Sequence, residues 1–254
     1  GPLEDFDKLT IEGIIDLQSV SLKDKEYEPR IKNLNGKIIY THTPEMARRK
    51  KEPWVKVIEY KNLSGNFSYS KFKDLSGELG LRNGKPHEKG SARYHLDFRD
   101  LQWVIEKEVN LPETLNFTSG EALIDSDFKG NPEQPETEKE WGKIKLKNLS
   151  MKYRNQLQAM TDFNGIISYS DEKFRLQNVL GMYGNSPLHL EGEINPKNKS
   201  APEFSLRLNL PALRNQELKD INLLLIKFGT LLIFYFLMIV NLTTILILLQ
   251  FNIL

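Results

Sequence analysis

The stretch WGKIKLKNLSMKYRNQLQAMTDFNGIISYSDEKFRLQNVLGMYGNSPLHLEGEI, Trp141 to Ile194, decides how this chain is read. Apolar residues fall on every second position at Ile144 and Leu146, Ile167 and Tyr169, Phe174 and Leu176, and Leu188 and Leu190. That period puts them on one face of half-buried strands. Gly, Asn, Asp and Pro fall between the runs, where turns belong.

The opening of this stretch occurs twice. Gly142, Ile144, Leu146, Leu149, Ser150 and Met151 repeat Gly13, Ile15, Leu17, Val20, Ser21 and Leu22, 129 positions earlier. The same offset carries Phe163-Asn164-Gly165 onto Leu34-Asn35-Gly36, and Ile167 and Tyr169 onto Ile38 and Tyr40, without a gap. Leu63-Ser64-Gly65-Asn66-Phe67-Ser68-Tyr69 is a third, looser copy of the Gly-centred turn. A fixed offset of this kind is an internal repeat of antiparallel strands.

Working outward, residues 9–22 read as strand, 23–30 as a charged turn, and 31–40 as a hairpin broken at Asn35-Gly36. Residues 54–79 read as two or three strands and 81–91 as a loop. Tyr94, Leu96 and Phe98 alternate strictly with Arg93, His95, Asp97 and Arg99. Residues 101–109 continue as strand, 115–128 form a pair of strands, and 130–140 form an acidic loop. Phe204 to Leu210 alternates again through Leu206 and Leu208. About fifteen strands result, with one or two helical turns at most, at 44–51. Such a sheet either closes as a barrel or sandwich, or curls and leaves an apolar trough.

The charge balance, 35 Lys and Arg against 34 Asp and Glu, gives no basic face for nucleic acid. Arg48-Arg49-Lys50-Lys51 reads as a solvated loop. The chain has no cysteine, so disulfides and thiolate-held metal are excluded. No nucleophile elbow, P-loop or zinc-protease helix motif is present. His42, His87, His95 and His189 read as exposed. Asp125, Asp127, Gly130 and Glu136 match four positions of a calcium loop, but Lys129 stands at a ligand position and flanking helices are missing. The expectation is no enzyme, no metal and no cofactor.

The chain opens on Gly1 with no signal segment, which reads as a fragment or processed product. Phe228 to Leu249 is 22 residues without a charge, long enough to cross about 30 Å of hydrocarbon. Its narrow composition also fits an interrupted reading frame. Translated as written, residues 221–254 are expected to hold a transmembrane helix.

On these residues the chain resembles the AsmA-like superfamily, closest to the repeat region of YhdP-like members. The resemblance rests on Trp141–Ser150, Thr161–Tyr169 and Phe174–Ile194 and covers roughly residues 9–210. It implies an all-β fold: a long, curved antiparallel sheet with an open groove, built of repeats. The first repeat is expected over 1–129 and a truncated second over 130–215. It further implies a bridge-like lipid-transfer protein of the periplasm, anchored to the inner membrane of a diderm bacterium. Phospholipids and the membrane are then its partners. The family anchor is N-terminal, whereas the hydrophobic segment here is C-terminal.

Under that reading the groove is lined by Ile15 and Leu17 in the first repeat. Tyr94, Leu96 and Phe98 follow, then Ile144 and Leu146. Phe174, Leu176, Leu188, Leu190, Leu206 and Leu208 complete it. The rival from another class is a structural β-solenoid scaffold with a filled interior and no ligand. A β-helical polysaccharide lyase would need clustered Asp, Lys or Arg on one face and a shorter coil period, and neither is seen.

Overall fold

The computed structural model describes residues 9–22, 31–43, 55–82, 85–100, 115–131, 133–153, 158–195 and 203–209. They form eleven strands: β1 (Ile11–Leu22), β2 (Ile31–Thr43), β3 (Val55–Phe67), β4 (Ser70–Arg82), β5 (Lys85–Asp97), β6 (Leu115–Asn131), β7 (Gln134–Tyr153), β8 (Met160–Ser170), β9 (Phe174–Tyr183), β10 (Ser186–Asn195) and β11 (Glu203–Asn209). Each strand pairs with its neighbours in sequence, giving one open antiparallel sheet with β1 and β11 at its edges.

Among the described residues there are eleven long strands, where more and shorter ones were expected. The hairpin at Asn35-Gly36 is a single strand, β2. The pair over 115–128 is one strand of 17 residues, and most of the acidic loop at 130–140 belongs to β6 and β7. The loop at 81–91 is mostly β4 and β5. Phe98–Asp100 leave β5 in helical conformation rather than extending it. The expectations for residues 23–30, 44–51, 101–109 and the tail at 221–254 lie outside the described residues. Among the described residues no helix is long and apolar enough to cross a membrane.

What merges short strands into long ones is a bulge that recurs with the same four-residue pattern. Ser19, Asn33, Asn62, Asp74, Asn148, Asp162 and Asn178 all have φ between 48° and 56°. Each is flanked in the same way: Leu17-Gln-Ser19-Val20, Ile31-Lys-Asn33-Leu34, Tyr60-Lys-Asn62-Leu63, Phe72-Lys-Asp74-Leu75, Leu146-Lys-Asn148-Leu149, Met160-Thr-Asp162-Phe163 and Leu176-Gln-Asn178-Val179. Short polar side chains tolerate the left-handed region better than other residues that carry a Cβ. One extra residue shifts the face on which later side chains emerge. A step of three between apolar residues therefore keeps both on the same face. Ladder registers break at these points, as between Tyr60 and Leu63 and between Leu146 and Leu149.

The bulges of paired strands meet. Val20 stands opposite Leu34, Leu63 opposite Leu75, and Leu149 opposite Phe163. Backbone N–H groups released by the bulge find side-chain acceptors on the neighbouring strand. The Asn62 N–H donates to Ser76 Oγ at 2.9 Å, and the Asp162 N–H to Ser150 Oγ at 3.3 Å. The repeat holds in three dimensions as well: Gly13↔Tyr40, Ile15↔Ile38 and Leu17↔Gly36 recur as Gly142↔Tyr169, Ile144↔Ile167 and Leu146↔Gly165.

By compactness the chain divides into residues 1–95 with 125–139, and residues 96–124 with 140–254. In the first unit the dry face holds Ile58, Tyr60, Leu63, Phe72, Leu75, Leu79, Ala92 and Tyr94, at 2–6% exposure. In the second the driest positions are Leu149, Ile167, Phe174 and Val179, each at 0%.

Candidate functional site: the apolar face of the sheet

In the second unit the apolar face is organised as rows that cross the strands. Register places Ile144 opposite Ile167, Ile167 opposite Leu176, Leu176 opposite Gly192 and Gly192 opposite Leu206. A second row runs Val179, Leu190, Leu208. A third holds Tyr169, Phe174 and Ile194, with the Tyr169 and Phe174 rings stacked at 6.1 Å between centroids. Phe98 and Phe117 pack at 5.1 Å in the same unit. Side chains directly opposite on one face are the contacts that stabilise a sheet.

Most residues expected to line a groove lie on the dry face of their own unit, Tyr94 in the first and the others in the second. Tyr94 and Phe98 are 5% exposed, Ile144 4%, and Leu96, Leu146, Leu176 and Leu188 2%. Leu190 is 1% and Phe174 0% exposed. Leu17, Leu206 and Leu208 are half-buried, and Ile15 is exposed. Leu149, Phe163 and Val179 belong on the same face and were not among the expected residues. Each follows a bulge, so strict alternation assigns it to the wrong side. The signal that finds them is the recurring step of three with Asn, Asp or Ser before the second apolar residue.

Polar groups enter the face at defined points. In the first unit Tyr60 is 2% exposed and its hydroxyl has no hydrogen-bond partner among the described residues. Burial, followed by the negative Glu88, raises the Tyr60 pKa. Glu88 on β5 and Glu138 on β7 hydrogen-bond carboxyl to carboxyl, with Gly130 of β6 lying against Glu138. Two carboxyl groups make that bond only when at least one holds a proton. Burial first and the Glu138 charge second push the Glu88 carboxyl up to about 7. In the second unit Tyr169 Oη donates to Glu140 Oε1 at 3.2 Å.

The opposite face is charged. Glu78, 8% exposed, accepts from His87 Nε2 at 2.9 Å and pairs with Lys89 at 3.2 Å. Arg175 donates to Glu193 at 2.8 Å. That bond, with Lys173 behind it, holds the Glu193 carboxyl below the usual range. A hollow of about 780 Å³ lies over β9–β11, bordered by Arg175, Asn178, Glu191, Glu193, Ser205 and Arg207 together with Leu176 and Leu206. Its charged lining suits no acyl chain. The histidines expected to be exposed are half-buried instead; His87 lies against Glu78 of β4 and His189 against Glu191. Asp125 and Asp127 sit within β6, where Asp125 pairs with Arg93 at 3.3 Å. Among the described residues no three His, Asp or Glu side chains are placed to hold a metal ion.

No family model, no curated protein and no solved structure matches this chain.

Proposed function

We propose that this chain is a lipid-carrying segment of a cell-envelope protein, with phospholipid acyl chains lying along its apolar face. The observation that carries the reading is the set of apolar rows crossing β7–β11, Ile144–Ile167–Leu176 foremost, on an open sheet. Rows perpendicular to the strands form a hydrocarbon path from strand to strand. Each CH₂ removed from water there contributes about 0.8 kcal/mol. The resemblance to AsmA-like proteins adds the setting: a periplasmic bridge from the inner membrane toward the outer, with phospholipid as cargo.

One observation favours a second reading, a filled scaffold without ligand. Side chains at 0–2% exposure are already dry without any lipid. Native mass spectrometry of the full chain, made in a diderm bacterium, tests both. Bound phospholipid is the expected result, and its absence from a folded sample overturns the lipid reading.

The Leu96→Asp variant separates the two readings further. On a lipid-bearing face the fold survives with reduced lipid load. In a closed dry core an unpaired carboxylate collapses stability. His95→Asp, one residue along and pointing to the other face, is the control. A folded Leu96→Asp chain with normal lipid content overturns the lipid assignment at β5.

A further inference from the structure

The dry face of the first unit is broken by two carboxyl groups. Register sets Ile58 opposite Leu79 and Leu79 opposite Glu88, so Glu88 continues a row whose other members are 6% and 3% exposed. Glu138 of β7 reaches Glu88 of β5 across β6, where that strand offers Gly130. A Cβ at Gly130 would stand 2.7 Å from the Glu138 Cα and 2.9 Å from its Cγ, so glycine leaves the room the carboxyl pair occupies. Both carboxyls are half-buried and stay within reach of a ligand.

The next row supplies a third polar group. Tyr60 stands opposite Gly77, and Gly77 opposite Gly90. A Cβ at Gly77 would stand 2.5 Å from Tyr60 Oη, and one at Gly90 2.9 Å from it. The two glycines thus let the Tyr60 ring cross β4 and carry its hydroxyl to β5, two residues along from Glu88 on the same face. There the Glu88 charge acts on it. Tyr60 is 2% exposed, and its Oη has no hydrogen-bond partner among the described residues. A buried hydroxyl without a partner is unfavourable until one arrives.

Charge and donor count specify the ligand. Among the described residues no Lys or Arg pairs with Glu88 or Glu138. No third carboxylate or histidine joins them either, which leaves too few oxygens for calcium, a cation that takes about six to eight. An –NH₃⁺ group carries three N–H donors and one positive charge, matching two carboxylates and a hydroxyl. We propose that Glu88, Glu138 and Tyr60 bind a primary ammonium group carried on an apolar chain, as in an aminophospholipid headgroup or a free long-chain amine. The ammonium takes the place of the proton the two carboxyls share, and that proton goes to water. Ile58, Leu79 and Phe128, which lies against Gly90, offer apolar surface to the chain. The lipid form of the ligand rests on the lipid-carrying reading, whereas the ammonium site does not.

The test titrates the full chain calorimetrically with dihexanoyl phosphatidylethanolamine, dihexanoyl phosphatidylcholine and hexylamine, each below its micellar concentration. The two lipids differ only in headgroup, and the quaternary ammonium of choline has no N–H to donate. The ethanolamine lipid is expected to bind about tenfold more tightly, the worth of one charge-assisted hydrogen bond. Hexylamine decides the source. Weaker binding than the ethanolamine lipid assigns a headgroup. Equal or tighter binding assigns a free amine, so that the ammonium site stands while the lipid reading loses its support in this unit. Equal binding of the two lipids overturns the ammonium site and leaves the lipid reading in place, and binding by none of the three overturns the site. Tyr60→Phe removes only an unpartnered hydroxyl and spares the fold, and Glu138→Gln keeps the shape of a half-buried side chain. Each should weaken binding of the tighter amine probe about threefold or more. Unchanged affinity in either variant overturns the proposal.

Discussion

The Asn164 side chain receives a hydrogen bond from the backbone N–H of Asn148 at 3.1 Å, spanning from β8 to the bulge of β7. Its amide nitrogen donates to the Asp162 carbonyl at 2.7 Å. Asn35 makes the same two bonds 129 positions earlier, to the Ser19 N–H at 2.9 Å and the Asn33 carbonyl at 2.6 Å. One asparagine thus satisfies two backbone groups that two adjacent bulges remove from the ladder. Asn164→Ala is expected to cost about 1–2 kcal/mol, two ordinary hydrogen bonds' worth. Asn164→Asp keeps the acceptor, loses the donor and should cost about half as much. Denaturant midpoints for the two variants measure the difference.

Gly36 has φ +133°, and a Cβ there would stand 2.6 Å from Leu63 Cδ2 and 2.9 Å from the Asn62 carbonyl oxygen. Gly36→Ala should therefore cost about 1–3 kcal/mol through backbone strain and crowding. Gly13, with open space around its Cα, is the control, and Gly13→Ala should leave the melting temperature unchanged. Gly165 matches Gly36 by sequence but does not share its left-handed backbone. There the obstacle is steric, since a Cβ would stand 2.7 Å from Val179 Cα, so Gly165→Val should also lower the melting temperature.

Ile15 and Ile144 are the same residue of the repeat in different surroundings. Ile144→Ala should cost about 2–5 kcal/mol, the range for a buried Ile, and Ile15→Ala less than about 1 kcal/mol. Chemical denaturation of the two single variants compares them directly. Equal losses would contradict the exposure of the β1 edge.

Glu88 makes stability fall as pH rises. The folded chain holds its proton to about pH 7, whereas an unfolded glutamate releases it near 4.5. Between those values the folded state binds more protons, so its advantage is complete below about 4.5 and is lost on approach to 7. Burial also raises the Glu138 carboxyl, in the same direction, and the bond from Glu88 opposes that rise. Melting temperatures across this window should decline more steeply for the parent than for Glu88→Gln. Parallel profiles for the two proteins would contradict the shared proton.

The strands, their alternation and the 129-residue repeat were legible in the amino-acid sequence, because a strand's faces alternate with period two whatever surrounds it. Asn35-Gly36 was not legible as the interior of one strand, just past the bulge at Asn33. The same dipeptide closes a hairpin when the chain reverses and relieves a ladder when it continues, and only the pairing of β2 with both β1 and β3 distinguishes the two. Leu149, Phe163 and Val179 went unnamed among the groove residues for the same reason, since each lies beyond an unseen extra residue. Burial was the tertiary structure's to decide. Ile15 and Ile144 share their local pattern, but among the described residues β6 covers one side of β7 while β1 lies at the edge of the sheet, and their burial differs accordingly. Glu88 and Glu138, 50 positions apart and unremarkable in the sequence, acquire a common proton only because the sheet brings β5 and β7 to either side of β6.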